Sequence, residues 1–232
     1  KKNFSTGDWL KLANQKILHC KKIKRTPILV GGTGLYFKAL TDGLVNIPKM
    51  PINFRNKVRN LHKSIGQKKF FLKLLEIDPL IKNRINSLDT QRSIRAYEIK
   101  LFTKKSMISW FKNTQSDFDH NDFFKICIDF PRKDLIERIN RRSENMIKLG
   151  AILEVKKFIK LRVPKNKSLS KAIGISEIKQ FIQKKIRTEQ LIEKISIKTR
   201  QYAKRQSTWA RGNMKDWNKV NPDDLDQLLK NI

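Results

Sequence analysis

The chain of 232 residues contains 52 Lys and Arg against 21 Asp and Glu, so its formal net charge at pH 7 is +31. Because such a charge repels itself unless a polyanion lies nearby, nucleic acid is the first partner to expect. The 39% hydrophobic share predicts one or two folded, soluble domains, and no apolar run approaches the roughly 18 residues of a membrane span, which excludes a membrane protein.

The first 40 residues predict an α/β arrangement. Ser5 or Thr6 is expected to cap a helix, and residues 27–30, Pro-Ile-Leu-Val, to form a short buried strand. The strand leads into Gly-Gly-Thr-Gly at residues 31–34, here called the glycine turn, and into a second helix. Because a lone strand cannot form a sheet, its partner strands must come from elsewhere.

The glycine turn is a candidate anion site. Gly31 and Gly32 let the backbone approach a ligand closely, the following helix presents free N–H groups, and Thr33 adds a hydroxyl. A tight strand-to-helix turn explains the same residues equally well. No Gly-x-x-x-x-Gly-Lys-Ser/Thr loop occurs in the chain.

Residues 51–120 predict a helical insertion. Apolar positions recur at helical spacing over 54–61, 70–75 and 94–102, and Asp89 is expected to cap the last of these helices. Alternating apolar residues then predict a strand at 123–130. From Asp134 the pattern is helical almost to the end, with interruptions at 164–170 and 212–221.

Residues 199–211, here called the basic face, combine cations, amides and rings on one predicted helix. Arg200, Lys204 and Arg211 fall along one side, and Gln206 and Trp209 belong to a neighbouring stripe. Cations neutralise phosphates, planar groups match base edges, and rings stack on unpaired bases, so the pattern favours RNA binding. The alternative is a solvated helix face whose aromatic rings lie in the core.

Three further segments place cations or glycine at suggestive spacings. Arg92 and Arg95 share a helix face that could dock an RNA backbone, or form surface pairs with Glu98. Arg138 and Arg142 lie one turn apart and could clamp a pyrophosphate, although a solvated helix has the same spacing. Residues 171–176 contain a glycine that permits close backbone approach, but a helix-start turn explains it as well.

Cysteine and histidine give no sign of a metal site. Cys20 and Cys127 lie far apart, without ligand or disulfide-framework spacing, and the three histidines are scattered. The sequence therefore predicts no protein-held metal, and free thiols fit a cytoplasmic protein.

Four blocks in this order resemble the tRNA dimethylallyltransferase family, also called IPP transferases. They are Pro-Ile-Leu-Val-Gly-Gly-Thr-Gly-Leu-Tyr-Phe-Lys-Ala-Leu at 27–40, Asp-Gly-Leu at 42–44, Gln-Arg-x-x-Arg-Ala-x-Glu at 91–98, and the basic face. The resemblance covers nearly the whole chain.

The resemblance implies transfer of a dimethylallyl group from dimethylallyl diphosphate to N6 of adenosine 37 beside the tRNA anticodon, with Mg²⁺ assisting release of pyrophosphate. It also implies a P-loop NTPase-like α/β core with parallel strands at 1–50 and 121–232, a helical insertion at 51–120 that contacts tRNA, and nucleotide (ATP) binding. We expect a helix-rich, cytoplasmic monomer.

Site residues carried over from the family fall into three groups. Thr33 is expected beside the transferred group and the target adenine. Gly31, Gly32, Arg138 and Arg142 are expected to bind the diphosphate. The expected tRNA contacts are Thr33, Arg55, Gln91, Arg92, Ser93, Ile94, Arg95, Lys171, Ala172, Ile173, Gly174, Ile175, Ser176, Lys204, Arg205, Gln206, Ser207, Thr208, Trp209, Ala210 and Arg211.

The sequence departs from the family pattern at its beginning. Family members start with a strand, a phosphate loop and an Asp that acts as base, and all of these would lie upstream of Lys1. We therefore expect a truncated sequence of a true enzyme. The alternatives are a tRNA-binding remnant or split subunit without chemistry, and a relative of P-loop nucleotide kinases.

Overall fold

The computed structural model describes residues 4–112, 114–164 and 167–230. The chain forms two compact units. Unit one contains Lys1–Trp9, Gln15–Tyr36 and Phe123–Ile232, and unit two contains Leu10–Asn14 and Phe37–Asp122. The assignment of 51–120 as a tRNA-contacting domain stays a prediction.

Helices account for most of the described chain. They are α1 Thr6–Lys22, α2 Gly34–Thr41, α3 Ile52–Ile77, α4 Thr90–Thr103, α5 Met107–Phe111, α6 Arg132–Lys148, α7 Ala151–Lys160, α8 Ile175–Ile182, α9 Thr188–Asn213 and α10 Leu225–Lys230. The strands are β1 Ile126–Ile128 and β2 Asn218–Val220. The fold is therefore α/β and rich in helix, as expected from the sequence. Residues 165 and 166 of the predicted interruption at 164–170 lie outside the described residues.

The two strands pair in parallel, with Cys127 opposite Lys219. β1 lies inside the strand predicted at 123–130 but is shorter. β2 falls in a segment for which only a break between helices was predicted, because Asn-Lys-Val has no apolar alternation that would mark a strand.

The buried strand predicted at 27–30 is wrong. These residues belong to no strand, and Ile28 and Val30 are 80% and 92% exposed. A strand needs a neighbour to satisfy its backbone N–H and C=O groups, and within the described part of the chain β1 and β2 pair only with each other. The apolar residues alone could not supply that neighbour.

Unit two has a core built where α3 packs against α4. Phe70, Leu74, Ile81 and Ile99 are all 0% exposed in this core. The helices predicted over 54–61 and 70–75 are both present, within one long α3 that breaks at Gly66, where φ is +75°. Asp89 caps α4 as predicted, since its Oδ1 accepts a hydrogen bond from the Arg92 N–H at 3.0 Å.

Unit one buries a second core among α7, α8 and α9. Ile178, Leu191 and Ile195 are at most 2% exposed there. Ser5 caps α1 through a capping box with Asp8, as its sequence predicts. Within the residues that the structure describes, no helix combines the length and apolar character needed to cross a membrane.

Candidate nucleic-acid interface

The glycine turn belongs to unit one and leads directly into α2. Thr33 is exposed, and its C=O accepts a hydrogen bond from the Tyr36 N–H at 2.9 Å. The Tyr36 ring stacks on the Trp9 ring of α1, with 4.6 Å between centroids and 14° between planes. The turn is therefore anchored to the first turn of α1, and the Thr33 hydroxyl lies at the surface.

The basic face contacts the glycine turn through its inner side. The Gln206 side-chain amide donates to the Gly32 C=O at 2.6 Å. The Trp209 ring lies so close to Gly34 that an added Cβ would come within 2.1 Å of it. Gly34 therefore permits a contact that any larger residue would prevent, and Gln206 and Trp209 hold the turn against α9.

The outer side of the basic face presents cations to solvent. Lys204, Arg205 and Arg211 are exposed, and the Arg205 guanidinium lies over the Tyr202 ring at 5.7 Å from its centroid. None of the three cations forms a hydrogen bond or ion pair with a described residue. A shallow groove of about 440 Å³ runs along this side, lined by Gln201, Lys204, Arg205, Thr208 and Trp209.

Arg200 differs from the other cations of the basic face. Its guanidinium donates to the Asn140 Oδ1 of α6 at 3.4 Å and is partly buried. The helical spacing placed Arg200 in line with Lys204 and Arg211, but packing of α6 against α9 gives it a partner within the protein. Ser207 is exposed, and its hydroxyl donates to the Ala203 C=O of the same helix at 3.2 Å. Ala210 is partly buried.

Residues 171–176 form the start of α8. Gly174 has φ of +100°, which favours glycine, and its N–H donates to the Glu177 Oε2 at 3.0 Å. Lys171, Ala172 and Ile173 are exposed, whereas Ile175 begins the helix and packs against the core of unit one. The helix-start explanation of this glycine is therefore correct, and an RNA contact by the exposed residues stays a prediction.

Glu177 is 2% exposed and stabilises this helix start. Its carboxylate pairs with the Lys198 amine of α9 and accepts from the Ser176 hydroxyl at 2.6 Å. Burial by itself raises the pKa of the Glu177 carboxyl, but the hydrogen bonds from Lys198 and Ser176 outweigh it, so the pKa is lowered overall.

The candidate diphosphate arginines both lie on α6. The Arg138 guanidinium lies over the Phe130 ring at 4.8 Å from its centroid, and Arg142 is exposed one turn later. No hydrogen bond or ion pair among the described residues connects either arginine to Gly31 or Gly32. Their role in diphosphate binding stays a prediction.

The start of α4 in unit two displays only part of the predicted segment. Gln91 and Arg92 are exposed, and Arg92 pairs with Asp89 at 3.2 Å. Ser93 is buried and donates to the Asp89 C=O, and Ile94 packs against the core of unit two. Ser93 and Ile94 therefore support the helix, and the polar ends of Gln91, Arg92 and Arg95 are the groups available to a ligand.

Glu98 forms one of the two pairs that the sequence offered as the alternative, the one with Arg95, but this carboxylate does not lie at the surface. Its side chain is only 1% exposed. Its carboxylate contacts Arg55 at 3.2 Å, Arg95 at 3.3 Å and Arg59 at 3.8 Å, whereas Arg92 pairs with Asp89 instead. Arg59 was missed, although its spacing of four residues from Arg55 on one helix was the available signal.

The described residues bring no group of three His, Cys, Asp or Glu side chains together that could hold a metal ion. The glycine turn offers one hydroxyl, from Thr33. A site held wholly by protein ligands therefore does not fit Mg²⁺ here, because that ion needs about six oxygen ligands.

A family model described as IPP transferase matches residues 1–213. The tRNA dimethylallyltransferase of Pelagibacter ubique is 54% identical over 229 residues, covering 99% of this chain and 73% of that protein. That of Rickettsia conorii is 39% identical over 234 residues, covering 99% of this chain and 64% of that protein. The chain thus spans 73% of the length of the first relative and slightly less than two thirds, 64%, of the second.

A crystal structure of a eukaryotic dimethylallyltransferase acting on tRNA superposes with a TM-score of 0.78 at 23% identity, covering 97% of this chain and 58% of that one. That similarity shows the fold, which is the P-loop-like fold of the tRNA isopentenyltransferases. Because the family model covers most of the sequence and the relatives match over nearly all of it, the chain belongs to the IPP transferase family.

Proposed function

We propose that this protein transfers a dimethylallyl group from dimethylallyl diphosphate to N6 of adenosine 37 in tRNA. One observation supports this most strongly: α9 contacts the glycine turn through Gln206 and Trp209 while it presents Lys204, Arg205 and Arg211 outward. A helix that binds RNA and also holds the turn beside the reacting groups serves an RNA-modifying transferase. Both relatives, from Pelagibacter ubique and Rickettsia conorii, are tRNA dimethylallyltransferases, which agrees with this proposal.

The proposed tRNA contacts come from both units. In unit one they are the groove of α9 and the exposed residues Lys171, Ala172 and Ile173, and in unit two the start of α4 with Arg55. Guanidinium and ammonium groups neutralise backbone phosphates, and the exposed Tyr202 ring with Arg205 offers a flat surface for an unstacked base.

In the proposed reaction, the N6 amine of adenine forms a bond to the allylic carbon of the diphosphate while the carbon–oxygen bond breaks, so that pyrophosphate leaves and the nitrogen releases one proton to water. Because the adenine must leave the base stack, a pocket has to receive it, and the exposed Thr33 hydroxyl is the group proposed to lie beside it. Gly31 and Gly32 backbone N–H groups, with Arg138 and Arg142, are proposed to stabilise the charge that develops on pyrophosphate.

We propose that Mg²⁺ binds together with the diphosphate, because phosphate oxygens are ligands that this ion prefers. We further propose a monomer that works in the cytoplasm, in keeping with the free thiols of Cys20 and Cys127.

The test incubates the complete gene product with radiolabelled dimethylallyl diphosphate, Mg²⁺ and unmodified tRNA, with and without ATP. We expect label in tRNA that carries adenosine 37, independent of ATP, and none when position 37 is guanosine. Thr33→Ala should lower turnover more than tRNA affinity. Binding of tRNA without incorporation would contradict the transferase proposal, and equal loss of turnover and affinity in Thr33→Ala would make Thr33 a folding residue.

A further inference from the structure

Glu98, Arg55, Arg59 and Arg95, here called the Glu98 cluster, bring one carboxylate and three guanidinium groups together in unit two. The Glu98 side chain is 1% exposed, whereas the three arginine side chains are between 36% and 46% exposed. The carboxylate thus lies beneath a layer of arginines that solvent reaches.

The charges of this cluster do not balance. One carboxylate against three guanidinium groups leaves a local charge of two positive units, held at the surface by a buried anchor. The contacts of Arg55 and Arg59 to Glu98 use their Nε atoms. The described residues supply no other hydrogen bond or ion pair to these two side chains, so their terminal amino groups are available to an external acceptor.

This arrangement reduces the conformational entropy that the arginine side chains lose when a ligand binds. A long arginine side chain loses conformational entropy when it is immobilised in one rotamer. In the folded protein, the contacts with Glu98 already restrict the three arginine side chains. Because Glu98 is buried, it does not occupy the solvent-exposed side of the guanidinium groups. A bound anion would then meet guanidinium groups that are already oriented.

We propose that Glu98 is a positioning residue that holds Arg55, Arg59 and Arg95 as a preorganised site for RNA phosphates, and that Arg59 contacts a phosphate. The inference rests on the proposed function, because tRNA supplies the phosphates. The exposed Gln91 and Arg92 at the start of α4 extend the same unit's polar surface. A phosphodiester suits the site because guanidinium groups bind its paired oxygens through two hydrogen bonds.

The substitution Glu98→Gln separates positioning from simple charge. It makes the protein more positive by one unit, so charge alone predicts tighter tRNA binding. Loss of positioning predicts the opposite: about tenfold weaker binding, the worth of one or two charge-assisted hydrogen bonds. We expect the KM for tRNA to rise by that factor, and kcat at saturating tRNA to stay within about twofold of wild type. Unchanged or tighter binding by the folded variant would overturn the positioning role.

Arg59→Ala provides a second test that keeps the buried Glu98 carboxylate and its contacts with Arg55 and Arg95. The slope of log K against log salt should become shallower by about 0.7–0.9, the share of one phosphate. Lys57→Ala is the matched control, because Lys57 is an exposed cation on the same helix, two residues away and on the other side. Equal slopes for Arg59→Ala and Lys57→Ala would remove Arg59 from the site.

A double-mutant cycle links the two residues. If Glu98 acts through Arg59, then Glu98→Gln should weaken tRNA binding less in the Arg59→Ala background than in wild type. A purely structural Glu98 would lower the melting temperature and leave tRNA affinity of the folded protein unchanged. Failure of wild-type protein to bind tRNA would contradict the proposed function itself, whereas normal wild-type binding with an additive cycle would contradict only this inference.

Discussion

The basic face of α9 and the Glu98 cluster present arginines to solvent in two different ways. On α9, Arg205 and Arg211 have no carboxylate partner among the described residues, and Arg205 instead lies over the Tyr202 ring. In the Glu98 cluster, every arginine contacts one buried carboxylate. The first surface has more unneutralised charge per arginine, and the second has less side-chain freedom.

This difference matters for how each surface would bind RNA. Unpaired cations attract phosphates over the whole backbone and adapt to its path, but each loses rotamer entropy on contact. Arginines held by Glu98 lose less, and fit fewer positions of the phosphate. We infer that the α9 surface contributes more to the electrostatic attraction of RNA, and that the Glu98 cluster contributes more to fixing the position of the bound phosphates.

The contact between the glycine turn and the inner side of α9 should be the most sensitive to substitution. Gly34→Ala would place a Cβ about 2.1 Å from the Trp209 ring of α9, so we expect the free energy of unfolding to fall by about 2–3 kcal/mol. Urea unfolding measures this free energy. Gly212→Ala is the matched control on α9, with nothing within 4 Å, and should be neutral or stabilising by up to about 1 kcal/mol. An equally mild effect of Gly34→Ala would show that Trp209 does not pack on the turn.

The Glu98 cluster should show a smaller but clear loss of stability. Glu98→Ala leaves three arginines without their anion, and we expect unfolding free energy to fall by about 1–2 kcal/mol. The value lies below that of a wholly buried pair because water reaches the arginines. The control is Glu76→Ala, which removes an exposed carboxylate on α3, the helix that carries Arg55 and Arg59, and it should change stability by less than about 0.5 kcal/mol. Similar values for both would show that the carboxylate does not anchor the cluster.

The outer side of α9 should affect binding rather than stability. Arg205→Ala or Arg211→Ala should weaken tRNA binding and flatten its salt dependence by about 0.7–0.9 in slope. Filter binding at several salt concentrations measures the slope. Lys194→Ala, an exposed cation earlier on α9 whose amine bonds the Gln180 Oε1, should leave it unchanged. A slope unaffected by both arginine variants would exclude these residues from the interface.

The smallest effect concerns pH. The pKa of Glu177 is lowered in the folded protein, so its contribution to stability is fully present above the unfolded value near 4.5 and disappears as pH falls through the folded value. Urea unfolding at pH 7 and at steps below pH 4.5 should show the difference between wild type and Glu177→Gln shrinking with acidity. A difference that stays constant or grows would contradict the contribution of the Lys198 and Ser176 contacts.

Local signals predicted the helices well and the strands poorly. Ser5 and Asp89 cap helices because their side-chain oxygens accept a hydrogen bond from the backbone N–H three residues later, and a short window of sequence reveals this pattern. The segment 27–30 has strand composition but no partner among the described residues, and β2 has a partner but no strand composition. Strand formation depends on a second segment, and composition does not identify it.

The sequence by itself determined the family, the helical segments and the strongly basic character, because these depend on residue order and composition. Only the tertiary structure decided which polar side chains of the basic face remain available to a ligand. The Arg200 guanidinium donates to Asn140, 60 residues away in sequence, and the Gln206 amide donates to Gly32, 174 residues away. Glu98 gathers Arg55 and Arg59 from another helix, and helical spacing on α4 reports only its neighbours on the same helix. Contacts distant in sequence are set by packing, so the division between supporting and ligand-facing residues appears only in the fold.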